Sequence, residues 1–150
     1  RSPGLITDVT ADMGVEIVTD GFDALTEAGF IWSDDGTQLN KADAANIETF
    51  TEVADTVRID HTITGLERNK VYYVRAYAEN KQGLAYSDTL MFSTKPFAVD
   101  PNDPTLYLIQ NKEDLHRLTN MSDYWDEDFQ QTADIALTSA DFEDGGLFYN

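Results

Sequence analysis

The chain has 150 residues, enough for one domain or for a small domain with part of another. Its 28 acidic residues against 10 basic ones give a net charge of −18, which argues against nucleic acid or an anionic membrane as partner. Hydrophobic residues at 41% and aromatic ones at 11% can fill a core, and the lack of cysteine excludes a disulfide framework and a thiolate metal site.

The opening Arg1-Ser2-Pro3-Gly4 reads as a trimmed start, so an export signal is expected to have been removed ahead of it. No apolar run approaches the ~20 residues needed to span a bilayer. Ile6–Thr10 and Gly14–Asp20 read as two short strands, with Asp12-Met13-Gly14 as the turn between them and Asp20-Gly21 as the next turn. Thr26–Ser33 (TEAGFIWS) is a third strand, carrying Trp32 as a core anchor, and Asp34-Asp35-Gly36 ends it. Residues 38–50 have weak periodicity and read as a long irregular connection with room for a helical turn, or for a strand over Glu48–Val53. Thr56–Thr64 alternates Val57, Ile59, His61 and Ile63 against polar neighbours, as a strand does.

The run Val71–Asn80 (VYYVRAYAEN) sets Val71, Tyr73, Arg75, Tyr77 and Glu79 on one face. Tyr72, Val74, Ala76 and Ala78 lie on the other, compact and apolar, and this is the expected core face. The turn Asn80-Lys81-Gln82-Gly83 then leads into LAYSDTLMFST, completing an antiparallel hairpin. Leu66 precedes Tyr72 by six residues, a spacing that suits a tyrosine corner. Tyr73, Tyr77 and Tyr86 are placed as an outer aromatic band around Arg75, either a self-sufficient cross-strand pairing or a docking face for a sugar or a neighbouring domain.

Through Gly65-Leu66, Tyr72-x-Val74-x-Ala76-x-Ala78-x-Asn80 and Gly83, residues 5–95 resemble a fibronectin type III domain of the kind found in surface and secreted proteins of Bacteroidetes. The resemblance implies a mainly β, immunoglobulin-like antiparallel β-sandwich over 1–95, with Trp32, Leu66 and Tyr72 in structural roles.

Lys95-Pro96 ends the last strand, and Asp100-Pro101-Asn102-Asp103-Pro104 is stiff, so 96–104 reads as an interdomain linker. Leu106–Ile109 is a brief strand, and Asn111 caps a helix from Lys112 to about Met121 with Asp114 at its third position. Phe129–Leu137 is a further strand and Asp144-Gly145-Gly146 a turn, so 105–150 is a small α+β fragment. The order of Leu108-Ile109, Glu113-Asp114-Leu115, Leu118, Phe129, Thr132-Ala133-Asp134-Ile135 and Leu137 resembles the opening unit of the β-solenoid segments, sometimes called GLUG repeats, of bacterial adhesins. A lone opening unit is marginal without neighbours to cover it.

Chemistry is sparse. Of the two histidines, His61 reads as a sandwich-edge residue and His116 as a solvated helix residue beside Arg117. There is no G-x-S-x-G, no Gly-rich phosphate loop and no His pair at metal-ligand spacing, so neither catalytic nor cofactor-binding residues are assigned. Asp100, Asn102 and Asp103 are weak Ca²⁺ candidates that resemble cadherin linkers, although two prolines interrupt them and stiffness alone explains the prolines. Asp123 and Asp126-Glu127-Asp128 flank Trp125, which either packs on the tail core or stacks on a sugar ring. Asn120-Met121-Ser122 fits the N-glycosylation pattern, which is of little consequence if the source is bacterial, as the resemblance implies.

The expected function is a non-catalytic extracellular spacer or adhesion module of a bacterial cell-surface protein, presenting an adjoining domain. The alternative is a carbohydrate-binding or accessory module of a glycan-processing surface protein, with Tyr77 and Trp125 as ligand contacts. Expected partners are other domains of the parent protein, other surface proteins or glycans, without nucleic acid or membrane insertion. No cofactor is expected beyond the Ca²⁺ candidate.

Overall fold

Alternating side chains build two sheets in the first of the two units into which the chain divides, Arg1–Lys95 and Pro96–Asn150. The computed structural model describes residues 4–18, 23–51, 53 and 58–149. The first unit contains β1 (Ala11–Glu16), β2 (Glu27–Ser33), β3 (Asn46–Phe50), β4 (Arg58–Ile63), β5 (Val71–Asn80), β6 (Gly83–Tyr86) and β7 (Leu90–Ser93). β1 pairs with β4, and the second sheet runs β3-β2-β5-β6, with β7 also on β5; every pairing is antiparallel.

The inward parity of each strand makes the core. Ala11, Met13, Ile59 and Ile63 from one sheet meet Ala28, Phe30, Tyr72, Val74, Ala76 and Phe92 from the other. Such face-to-face burial of two sheets is the immunoglobulin-like, fibronectin type III-like sandwich. At the β5–β6 turn the Asn80 Oδ1 accepts from the amides of Gln82 and Gly83, and Gly83 takes φ +143°. Glycine adopts that angle without a Cβ penalty.

Three expectations need correction here. Asp12-Met13-Gly14 is not a turn but the middle of β1, because Ala11 and Met13 both face the core. The reversal lies earlier, where the Thr7 and Thr10 backbones bond and the Thr7 hydroxyl accepts from the Thr10 amide. The connection over 38–50 holds β3, and its earlier part is a loop. The continuous strand after Gly83 is broken at 87–89, where the Ser87 Oγ accepts from the Ala76 amide. Asp20-Gly21, Thr56 and Val57 lie outside the described residues.

The second unit has β8 (Ala98–Val99), β9 (Leu106–Ile109), α1 (Lys112–Asn120) and β10 (Asp128–Gln131), in sheet order β10-β9-β8. β8 is antiparallel and β10 parallel to β9. A parallel pair needs a crossover, and α1 supplies it. Asn111 caps α1 by accepting from the Asp114 amide at 2.8 Å.

Residues 96–104 do not form an interdomain linker. Phe97 is completely buried among Tyr107, Ile109 and Phe129, Ala98–Val99 pair with β9, and the Asp100-Pro101-Asn102-Asp103 stretch turns the hairpin. The prolines mark a tight reversal within one unit. Nor does the strand over Phe129–Leu137 run so far: β10 stops at Gln131, since β9 ends at Ile109, where the cap of α1 begins, and offers no partner beyond the Thr132 amide.

Candidate functional site

The densest polar cluster stands on the outer face of the larger sheet. β2 and β5 place Gly29 opposite Tyr77, and a Cβ on Gly29 would meet the Glu48 carbonyl oxygen and the Tyr77 ring. The bare glycine therefore lets the tyrosine lie flat across β2. The 34–45 loop closes over it, so that Leu39 and Ala44 join Ile31, Tyr77, Tyr73 and Tyr86 in a second apolar cluster. Tyr77 is 2% exposed. It cannot be a sugar platform, and the outer aromatic band is covered rather than displayed.

A polar network seals this cluster. The Tyr77 hydroxyl donates to Glu27 Oε1 at 2.6 Å and lies 2.8 Å from the Thr49 hydroxyl. The Lys41 ammonium bridges Glu27, at 2.8 Å, and Glu79, and sits 5.5 Å from the Tyr77 ring centroid. The Lys41 backbone amide donates to the Tyr86 hydroxyl at 2.9 Å, and the Arg75 guanidinium lies 4.3 Å over the Tyr86 ring. Lys41 and then Tyr77 hold the Glu27 carboxyl below its ordinary range, while hydrogen bonds to Glu27 and Glu79 push the Lys41 ammonium up. Burial, then the Glu27 contact, pushes the Tyr77 hydroxyl up to about 12. A neutral phenol, a carboxylate and an ammonium fixed this way staple a loop to a sheet; none is poised to exchange a proton near neutral pH.

The residues assigned structural roles take different positions. The Tyr72 hydroxyl accepts from the Glu67 amide at 2.9 Å, bonding back to the preceding loop, and its ring stacks on Phe92. Leu66 is buried and its amide donates to the Val9 carbonyl. Trp32 is only partly buried, packed against the edge of the inner core, whereas its neighbour Ile31 is fully buried on the opposite face.

Asp100, Asn102 and Asp103 are engaged in turn capping. Asp100 Oδ1 accepts from the Asn102 and Asp103 amides, and Asp103 Oδ1 from the amide and hydroxyl of Thr105. Thr105 holds the Asp103 carboxyl below its ordinary range. Among the described residues no three His, Cys, Asp or Glu side chains gather closely enough to hold a metal ion.

Trp125 does not pack on the tail core. It is 64% exposed, tethered by its indole N–H to the Leu118 carbonyl at 2.8 Å. His61 lies among aromatic rings, 5.5 Å from Phe50 and 6.4 Å from Phe30. His116 meets Phe148 edge-on at 5.3 Å and lies within reach of Asn120, whose amide also donates to the His116 carbonyl.

Sequence reasoning missed the covered outer face. One signal was present: AGFIW in β2 is apolar at both parities, which marks a strand buried on both sides. The loop residues that do the covering, Leu39, Lys41 and Ala44, carry no periodicity that announces them.

No protein-family model matches the chain, and no curated protein does. Similar solved structures include the sensor domain of the anti-sigma factor RsgI4 of Pseudobacteroides cellulosolvens, at 12% identity and TM-score 0.47, over 63% of this chain and 89% of that one. Another is the chicken CNTN1 FN1–FN3 segment, at 16% identity and TM-score 0.48, over 63% of this chain and 30% of that one. A third is the sixth fibronectin type III domain of human fibronectin type III domain containing protein 3, at 16% identity and TM-score 0.45, over 66% and 84% of the two chains. These are likenesses of fold and assign no activity. By its own strand order and the Tyr72–Glu67 bond, the first unit has a fibronectin type III-like β-sandwich fold.

Proposed function

We propose that this chain is a non-catalytic extracellular module of a bacterial cell-surface protein, a spacer that presents an adjoining adhesive domain. One observation carries the proposal: the polar clusters of both units fasten the fold. Glu27–Lys41–Glu79 staples a loop, Asp8–Arg68 ties the first turn to the 64–70 connection, and Lys112–Asp141 fixes the 138–142 turn to α1. Both histidines make ring contacts. No helix among the described residues is long and apolar enough to cross a membrane.

The parallel β9–β10 pair supports a finer proposal, that the second unit opens a β-solenoid of the adhesin type. β10 lies at the sheet edge, where a further parallel strand would add. Protease shaving of intact cells of the source organism tests the location. Release of peptides spanning the β4–β7 region is expected, and complete protection on intact but not lysed cells would overturn the extracellular placement.

A carbohydrate-binding role has one observation in its favour, the exposed indole of Trp125. A glycan array should then show binding that Trp125→Ala removes, and no signal above background eliminates this second role.

A further inference from the structure

Trp125 stands apart from the aromatic residues that flank it in the chain. Tyr124 and Phe129 pack on the core of the second unit with Phe97 and Tyr107, and Trp125 does not. At 64% it is the most exposed aromatic residue among those described. It is nevertheless held in place. Its backbone amide donates to the Ser122 carbonyl at 3.1 Å, and its indole N–H donates to the carbonyl of Leu118 in the last turn of α1. A side chain tethered at both ends has little freedom left to lose when another group stacks on it.

The charge around the ring has one sign. Asp123, Asp126, Glu127 and Asp128 are all exposed. From Leu118 to Asn150 the chain carries eight Asp and Glu residues and no lysine or arginine. The last cation before that stretch, Arg117, is committed to Asp114, to the Pro96 carbonyl and to the Phe97 ring. Ionised carboxylates only accept hydrogen bonds, and the one donor of the indole is already engaged by Leu118. A neutral sugar needs donors as well as acceptors, and neither the ring nor the carboxylates supply them. A guanidinium is the better match: it is planar, has five donors and no acceptor, and its charge is attracted by both the ring face and the carboxylates.

We propose that Trp125, with Asp123, Asp126 and Glu127 beside it, is a docking site for an arginine-bearing segment of a partner protein. The guanidinium lies on the indole and donates to the carboxylates. The sign of the charge selects this occupant over a second copy of the chain, which at −18 would bring like charge to the site. The site belongs to the second unit alone and does not depend on the extracellular placement.

A short peptide of alternating glycine and arginine, titrated into the full chain at low salt, is the probe. It should shift the indole N–H resonance of Trp125 and leave that of Trp32 in place. Citrulline in place of arginine keeps the shape and removes the charge, and it should abolish the shift. Trp125→Ala should weaken binding at least about five-fold, and Asp126→Asn combined with Glu127→Gln about three-fold, with the dispersion of the remaining amide signals as the control for folding. Absence of binding at about 1 mM, equal binding of the citrulline peptide, or undiminished affinity in either variant overturns the proposal. So does a neutral oligosaccharide that moves the indole resonance where the arginine peptide does not.

Discussion

The sandwich and the smaller unit that follows it are held together in different ways. In the sandwich, twelve buried residues among those described, ten of them on strands of the two sheets, share the inner core, and a second cluster lies under the 34–45 loop. In the unit from Pro96 on, one three-stranded sheet and one short helix gather around Phe97, Tyr107 and Ile109. Phe97 alone meets Tyr107, Tyr124 and Phe129 with centroids 5.2 to 6.0 Å apart, and carries the Arg117 guanidinium 5.9 Å from its ring. A core spread over two sheets tolerates the loss of one side chain better than a core built around one ring.

The largest effect that would sharpen this contrast is Phe97→Ala. It should cost about 3–5 kcal/mol and melt the smaller unit. In an NMR spectrum the indole signal of Trp125 should lose its dispersion while that of Trp32 persists; simultaneous loss of both would mean that the units do not fold separately. Gly29→Ala attacks the covered face of the sandwich. With a Cβ 2.0 Å from the Glu48 carbonyl oxygen of β3 and 2.8 Å from the Tyr77 ring it should cost about 1–3 kcal/mol by denaturant melting. An unchanged midpoint would show that neither the β3 backbone nor the Tyr77 ring needs the bare glycine.

Smaller is Tyr72→Phe, which removes the acceptor for the Glu67 amide and should cost about 1 kcal/mol in the same melt. Next comes the acid sensitivity of the smaller unit. Lys112, then the amide and hydroxyl of Thr138, hold the Asp141 carboxyl down from 3.8 to about 2. A depressed carboxylate contributes stability at pH above its unfolded value, and that contribution is lost as pH falls through the folded value. The contact between the 138–142 turn and α1 should therefore weaken between about pH 4 and pH 2, visible in the ring signals of Phe142 and Phe148, and Asp141→Asn should abolish that dependence. Trp125→Ala should move stability by less than about 0.5 kcal/mol, since the indole is exposed and contributes one hydrogen bond; a larger change would assign it a packing role.

Much of the sandwich was legible in the residues. The alternation of β5, the Leu66–Tyr72 spacing and the Asn80–Gly83 turn each depend on neighbours close in sequence, as does the Asn111 cap of α1. Errors arose where a local signal had two meanings. Asp-Met-Gly at 12–14 looks like a turn but alternates correctly as a strand, and the proline-rich stretch at 100–104 stiffens a hairpin as readily as a linker. Of the candidate site little could be read, because Glu27, Lys41, Thr49 and Tyr77 meet from four separate segments, β2, the 34–45 loop, β3 and β5.

The sequence by itself determined the strand periodicity, the turn chemistry and the acidic charge, since these follow from side-chain parity, allowed backbone angles and composition. Only the tertiary structure decided which face was closed. It laid Tyr77 over Gly29, drew Leu39 and Lys41 across the outer sheet and buried Phe97. The reason is physical: burial depends on what a distant segment brings, and no local pattern encodes the arrival of a residue dozens of positions away.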